Sequence, residues 1–147
     1  MEYNIYTPKD SLSENKKKDI ADFLYKHLDQ FGDEYKYIMK CINFAVDDKT
    51  KFGGFIITAV EAGKIAGAVV VNKTGMGGYI PDNILVYIAV HKEYRGKGLG
   101  KILMQKTFDQ AEGDIKLHVE PENPAKFLYE KLGFTSKYLE MRRPQQK

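Results

Sequence analysis

The run Ile84-Leu85-Val86-Tyr87-Ile88-Ala89-Val90, followed after four intervening residues by Arg95-Gly96-Lys97-Gly98-Leu99-Gly100, decides the fold of this chain. Its first part is apolar at both alternating sets of positions, which predicts a central strand covered on both faces. From Leu99 to about Ala111 the apolar residues recur with helical spacing. Strand, glycine-rich turn and helix in that order bring several backbone N–H groups to one point. The helix start has unpaired donors and the positive end of the peptide dipoles, and glycines let an anion reach the backbone. Arg95 and Lys97 add mobile cations beside this nest, so the stretch reads as a phosphate-binding turn.

Outward from that turn the elements follow one another without repeats, low-complexity stretches or a linker. Glu2 to Thr7 alternates and forms a first strand closed by Pro8. Ser11 or Ser13 caps a helix over Glu14 to Asp29, with Ile20, Phe23, Leu24 and His27 on one stripe. Gly32 breaks it, and Asp33 to Phe44 is a second helix. Phe55 to Val60 and Lys64 to Asn72 are strands joined as a hairpin at Glu61-Ala62-Gly63, and a glycine-rich loop runs from Thr74 to Asn83. Downstream, Ile115 to Val119 is a strand and Asn123 to Leu132 a short helix. Phe134 and Tyr138 to Arg142 make one or two closing strands. The order β, α, α, three strands, α, β, α, β predicts a mixed sheet, mostly antiparallel, with a parallel βαβ portion and helices on both faces. This is an α+β, three-layer α/β architecture in a single domain over residues 1–147.

Composition narrows the function. With 147 residues, 43% hydrophobic and 29% charged, the chain fits one soluble globular domain with a core of useful size. No apolar run approaches the roughly 20 residues that span a bilayer. Met1 to Pro8 lacks the basic-then-apolar order of a secretory signal, so no membrane partner is expected. The single cysteine, Cys41, excludes an internal disulfide and fits a reducing cytoplasm; between Met39 and Ile42 it reads as packing. Net charge is +3, and the one dense basic run, Lys16-Lys17-Lys18, lies on a helix as a solvated face, so no nucleic-acid partner is expected. No metal site is assigned. A dinucleotide fingerprint would need Gly-x-Gly-x-x-Gly after the first strand, and a Walker loop would need Gly-Lys-Ser/Thr where Gly100-Lys101 is followed by Ile102. Both are rejected.

A second motif stands downstream. In Asn123-Pro124-Ala125-Lys126-Phe127-Leu128-Tyr129-Glu130-Lys131-Leu132-Gly133-Phe134, Asn123 is a good N-cap and Pro124 suits a first helical position. Gly133 ends the helix, and Phe134 can fold back onto Leu128 or Tyr129. Read with the first motif, this one changes the picture. Arg95, Gly98 and Gly100 occupy the places of the Arg/Gln-x-x-Gly-x-Gly/Ala signature, and the chain resembles the GNAT superfamily of N-acetyltransferases. Tyr129 to Phe134 resembles the family's other motif, about 30 residues downstream as here. The resemblance covers roughly Tyr3 to Arg143 and is specific from Ile84 to Phe134.

The resemblance implies acetyl transfer from acetyl-coenzyme A to a primary amine, by direct attack through a tetrahedral intermediate and without a metal. It implies that the pyrophosphate lies on Arg95, Gly96, Lys97, Gly98, Leu99 and Gly100, with Lys101 just inside the helix. The pantetheine arm would pair with Ile88, Ala89 and Val90, where a backbone N–H faces the thioester carbonyl. Tyr129 would be the general acid at the sulfur, and Asn123 would contact the cofactor. The family usually has one more residue between that asparagine and the alanine matching Ala125, which displaces Asn123 from the pattern. Glu120 is the candidate base through water, with Tyr87, His118 and His91 on the bordering segments. The acceptor, a small-molecule amine or a protein amine, would meet residues 31–44 and 74–83, where Asp33, Glu34, Tyr35 and Tyr37 offer carboxylates and aromatic faces. Two readings stay open beside this one: a non-catalytic acyl-coenzyme A-binding regulatory module of the same fold, and an enzyme using a longer acyl donor. An exposed strand near Tyr138 to Arg142 offers an edge for a homodimer.

Overall fold

The structure is a computed structural model that describes residues 1–47, 49 and 52–146. One five-stranded sheet runs in the order β1 (Glu2–Tyr6), β2 (Gly54–Glu61), β3 (Lys64–Lys73), β4 (Asn83–Val90), β5 (Ile115–Leu117). The first four strands are antiparallel neighbours, and β5 joins β4 in parallel. Helices α1 (Glu14–His27) and α2 (Tyr35–Val46) cover one face; α3 (Leu99–Gln110) and α4 (Ala125–Lys131) cover the other. The mixed three-layer sheet is the architecture expected from the sequence. No helix among the described residues is long and apolar enough to cross a membrane.

Strand alternation divides the interior into two cores. Ile56, Ala68 and Val70 face α1 and α2, where Ile20, Leu24, Ile38 and Ile42 meet them. Phe55, Ile57, Val69 and Val71 face the other way, onto Leu99, Leu103 and Met104 of α3. The expected α1 stripe is buried, and Ser13 caps the helix by accepting from the Lys16 N–H at 3.2 Å. Helix α1 ends at His27, earlier than the sequence suggests. Asp29 to Phe31 turns as a 3-10 segment, with Asp29 itself at φ 54°. α2 accordingly starts at Tyr35 rather than Asp33.

The register of β4 positions the site. Val71 pairs with Leu85 and Val70 with Tyr87, so Val86 is an extra residue with no partner on β3. This is a β-bulge, and it reverses which residues face which layer. Leu85 packs with α3; Tyr87 and Ala89 pack with α1 and α2; Ile88 and Val90 return to the α3 side. The β4–β5 ladder has three residue pairs and ends at Leu85 and Leu117, at the bulge itself. Its start is held firmly, since the buried Asn83 donates its side-chain amide to the Glu112 carbonyl at 2.8 Å. β4 and β5 are therefore joined at one end and part at the other.

Two expectations are corrected near the C-terminus. The strand foreseen over Ile115 to Val119 is only Ile115–Leu117, because its partner β4 bends away beyond that point. The closing strands foreseen at Phe134 and at Tyr138 to Arg142 do not form: residues 134–142 have no strand, and Tyr138, Leu139 and Met141 are 80%, 88% and 89% exposed. A three-residue neighbour offers too short a ladder to order another strand by itself.

A glycine in mid-strand lets α3 come close to the sheet. A Cβ on Gly67 of β3 would stand 2.7 Å from the Leu103 Cδ1 and 3.4 Å from the Ala89 carbonyl oxygen. Leu103 is fully buried and has no room to turn aside. Gly67→Ala is expected to cost about 1–3 kcal/mol by overpacking, measured by urea denaturation.

Candidate active site

Two glycines with left-handed backbone bring the chain into α3: Gly96 at φ 76° and Gly98, the N-cap, at φ 84°. A Cβ at either would meet nothing within 4 Å, so backbone conformation, not space, is what requires glycine there. The first intrahelical bond is from the Ile102 N–H to the Gly98 carbonyl at 3.1 Å, so the amides of Gly98, Leu99, Gly100 and Lys101 are free of the helix ladder. They border a cavity of about 420 Å³ walled by Val90, by Tyr94 to Gly96, by Gly98 to Lys101, and by Pro124, Ala125 and Leu128. Gly100 lets α3 start close to its neighbours, since a Cβ there would already touch the Leu128 Cδ2 at 3.4 Å.

The basic residues of the turn divide their work. Arg95 was expected as a mobile cation, but its guanidinium is committed to protein. Nε donates to the Val90 carbonyl at 3.0 Å, one NH2 group donates to the His27 carbonyl at 2.9 Å, and the other lies 3.4 Å from Asp29 Oδ2. It thereby caps the C-terminal end of α1 and ties it to the turn. Lys97 and Lys101 are exposed, with the Lys97 Nζ 5.8 Å from the Tyr94 ring centre.

The edge of β4 leads from this cavity into the gap beside β5. The His91 N–H bonds to the Ala66 carbonyl on β3 at 2.8 Å. By antiparallel alternation Ala89 then also turns its N–H to β3, and the N–H groups of Ile88 and Val90 face the opposite, uncovered edge. The use of the Val90 carbonyl by Arg95, away from β3, agrees with this.

α4 closes the far side. Asn123 accepts the Ala125 N–H on its Oδ1 at 2.9 Å, so it caps the helix as the sequence suggests. At the other end the Phe134 N–H reaches the Tyr129 carbonyl at 3.0 Å and the Gly133 N–H reaches Glu130 at 3.2 Å, with Gly133 at φ 98°. This is a Schellman motif, and its apolar contact is Phe134 against the Tyr129 ring, centres 5.9 Å apart. Tyr129 is buried, and burial pushes its hydroxyl up to about 12. It packs in the same core as Ile88, Val90 and Leu117.

The candidate bases are scattered. Glu120 is exposed three residues past the end of β5, and His118 is also exposed. His91 is half-buried; its Nδ1 accepts from the Glu93 N–H at 3.1 Å and its ring lies 4.3 Å from that of His27. Tyr87 is buried on the α1–α2 side, where burial first and the Asp33 carboxylate second raise it above the usual phenol range. Sequence reasoning missed the pairing of Tyr87 with Asp33 and the clamp formed by Arg95, because each depends on residues distant in the chain. Among the described residues no group of three or more His, Cys, Asp or Glu is gathered as a metal site.

Residues 52–136 match the family model of the acetyltransferase (GNAT) domain. The chain belongs to the GNAT acetyltransferase family. Its fold is similar to that of solved GNAT structures. One is a ribosomal-protein-alanine N-acetyltransferase from Brucella melitensis, with TM-score 0.67, 18% identity and 100% of both chains covered. Another is the ribosomal-protein-S18-alanine N-acetyltransferase from Escherichia coli, with TM-score 0.66, 20% identity, and 93% of this chain and 80% of that one covered. A third is an aminoglycoside acetyltransferase from an uncultured soil metagenomic sample, with TM-score 0.66, 17% identity, and 99% and 100% covered. Among curated proteins none matches the chain in sequence.

Two outcomes follow for this GNAT chain. Arg95→Ala should lower stability by about 1–3 kcal/mol, the scale of hydrogen bonds from a charged donor. In denaturant titration Arg95→Lys should recover less than half of that, because an ammonium cannot reproduce the guanidinium fork. His27 is buried with its Nδ1 unpartnered, and burial lowers its pKa below the ordinary 6.5, with positive neighbours adding to the effect. The unfolded chain therefore takes up a proton first as pH falls. This contribution to stability is complete above pH 6.5 and declines below it, by at most about 1.4 kcal/mol per pH unit. In His27→Phe that part of the slope should vanish from a pH series of unfolding curves.

Proposed function

We propose that this chain is an acetyltransferase that moves an acetyl group from acetyl-coenzyme A to a primary amine by direct attack, in the cytoplasm and without a metal. The observation that carries this reading is that the β4–β5 ladder stops at Leu85 and Leu117, while Val90 farther along β4 lines one cavity with the free amides at the start of α3 and Tyr129 packs in the same core. A diphosphate fits the free amides of Gly98 to Lys101, with Gly96 shaping the turn and Lys97 and Lys101 supplying positive charge. Leu99 anchors that helix start in the core, Arg95 holds the turn, and Asn123 holds the start of α4 opposite. An extended arm fits the uncovered edge of Ile88, Ala89 and Val90 as an added strand would.

When bound, the thioester supplies an activated acetyl group and a thiolate leaving group. The Ile88 or Val90 N–H donates to the oxygen that gains charge as nitrogen attacks; loss of one such donor costs roughly 3 kcal/mol elsewhere. The C–N bond forms, the C–S bond breaks, and the amine's proton ends on sulfur. Tyr129 stays protonated at neutral pH and donates a hydrogen bond to the departing sulfur. Since a thiol titrates near 8.5, full transfer from a phenol at about 12 would be uphill, so stabilisation by the hydrogen bond is its main contribution. Glu120, exposed three residues beyond β5, is the candidate that receives the proton of the incoming ammonium through water. An acyl-enzyme on Cys41 is disfavoured: that thiol is buried on the opposite face, bonded to Asn72, and pushed up to about 12 by burial. The acceptor is a small-molecule amine or a protein amine, the two kinds that appear among the names of the fold neighbours.

Calorimetric titration with acetyl-coenzyme A, followed by thiol release over a panel of amines, tests the reading. Binding with release supports it, and absence of binding overturns it. Gly98→Ala should weaken coenzyme A binding without unfolding the chain. Tyr129→Phe should lower kcat by roughly ten- to a hundredfold, the scale of a hydrogen bond to a charged group, with little change in that affinity. Glu120→Gln should depress kcat/KM strongly at pH 7 and much less near pH 10, where a sizeable fraction of the amine is neutral without help; equal loss at both pH values would remove Glu120 as the base.

A further inference from the structure

The side of β4 away from α3 holds a polar pair that the proposed chemistry does not use. Tyr87 is only 7% exposed, yet its hydroxyl donates to the Asp33 Oδ2. Asp33 lies two residues before α2 and is itself exposed, and its other oxygen, Oδ1, has no partner among the described residues. An aspartate placed there would ordinarily serve the helix start, but α2 has no side-chain cap. The carboxylate instead turns inward to a phenol rooted in the middle of the central strand. Burial keeps the phenol protonated, so it has a proton to donate to the carboxylate, and it fixes one carboxylate oxygen while leaving the second free. Tyr87 is the neighbour of Ile88, whose N–H faces the β4–β5 gap. One peptide unit thus links a charged anchor on the α2 side to the edge where acetyl transfer is proposed.

What such an anchor would hold follows from the chemistry. The attacking nitrogen must be neutral, and a carboxylate that gripped it as an ammonium would oppose attack. A fixed negative charge is of use to a group that stays positive throughout. Resting on the acetyltransferase reading above, we infer that Asp33, oriented by Tyr87, binds a second, protonated amino group of the acceptor, so the preferred substrates are diamines or longer polyamines.

The test compares 1,3-diaminopropane, 1,4-diaminobutane and 1,5-diaminopentane with butylamine and 4-aminobutanoate, by thiol release from acetyl-coenzyme A. The wild type is expected to favour at least one diamine over butylamine by tenfold or more in kcat/KM, with 4-aminobutanoate poorest. In Asp33→Asn that ratio should fall at least tenfold. Asparagine keeps an oxygen for the Tyr87 hydroxyl, so a merely structural role would leave the ratio where it was. Tyr87→Phe, which keeps the charge but frees the carboxylate, should lower the ratio less. Equal use of diamine and monoamine, or a ratio that survives Asp33→Asn, overturns the inference. Binding is also read without turnover: 1,4-diaminobutane added to the protein should shift the NMR signals of Asp33 and Tyr87, and no shift at millimolar diamine counts against the anchor. Failure of the acetyltransferase reading looks different, as absent acetyl-coenzyme A binding in calorimetry.

Discussion

A strand that carries one residue more than its partner must bend, and in β4 that residue is Val86. Before it, β4 is an ordinary inner strand, hydrogen-bonded on both sides and fixed to the start of β5 through Asn83. After it, the same strand keeps β3 but loses β5. A buried central strand with one open edge is costly unless something else takes up its N–H and C=O groups. Arg95 satisfies the Val90 carbonyl. The remaining edge is where the extended substrate proposed above would gain most, since it would meet donors already aligned beside the packed core. The same bulge sends Tyr87 to the α2 side while Ile88 stays at the α3 side, so one strand reaches both of the sites proposed for the two substrates.

The end proposed for the acyl donor is built almost entirely of backbone. Gly96 and Gly98 have positive φ, and the four amides that follow depend on the start of α3 rather than on any side chain. Arg95 stabilises the turn by fastening it to α1. Side chains carry the remainder: Tyr129 is oriented by its Schellman contact with Phe134, and Asn123 sets the first turn of α4.

Much of this was legible because the signals are local. The Arg95–Gly100 turn, the α3 periodicity, the Glu61-Ala62-Gly63 hairpin and the Gly133 stop each depend on a few neighbouring residues whose chemistry admits one reading. Asn123 as a cap and Phe134 against Tyr129 were legible for the same reason. What stayed hidden depends on register or distance. Val86 looks like any apolar strand residue, and only pairing with Val70 and Val71 reveals it as surplus. Arg95 carries the same charge whether it meets phosphate or the His27 carbonyl, 68 residues away. The closing strand at Tyr138 to Arg142 has suitable residues but lacks a neighbour long enough to order it.

Under the proposed reading, the Arg95 clamp has a consequence for how two substrates sense each other. One guanidinium touches the strand that borders the gap, the last turn of α1, and the Asp29 segment that leads to Asp33 and α2. The turn proposed for the donor and the segment proposed for the acceptor therefore share a single rivet. If filling one side steadies it, the other side finds part of its ordering cost already met, and thermodynamic linkage makes the benefit equal in both directions. Cooperativity between the two substrates would then come from stiffness alone, with no hinge and no second conformation.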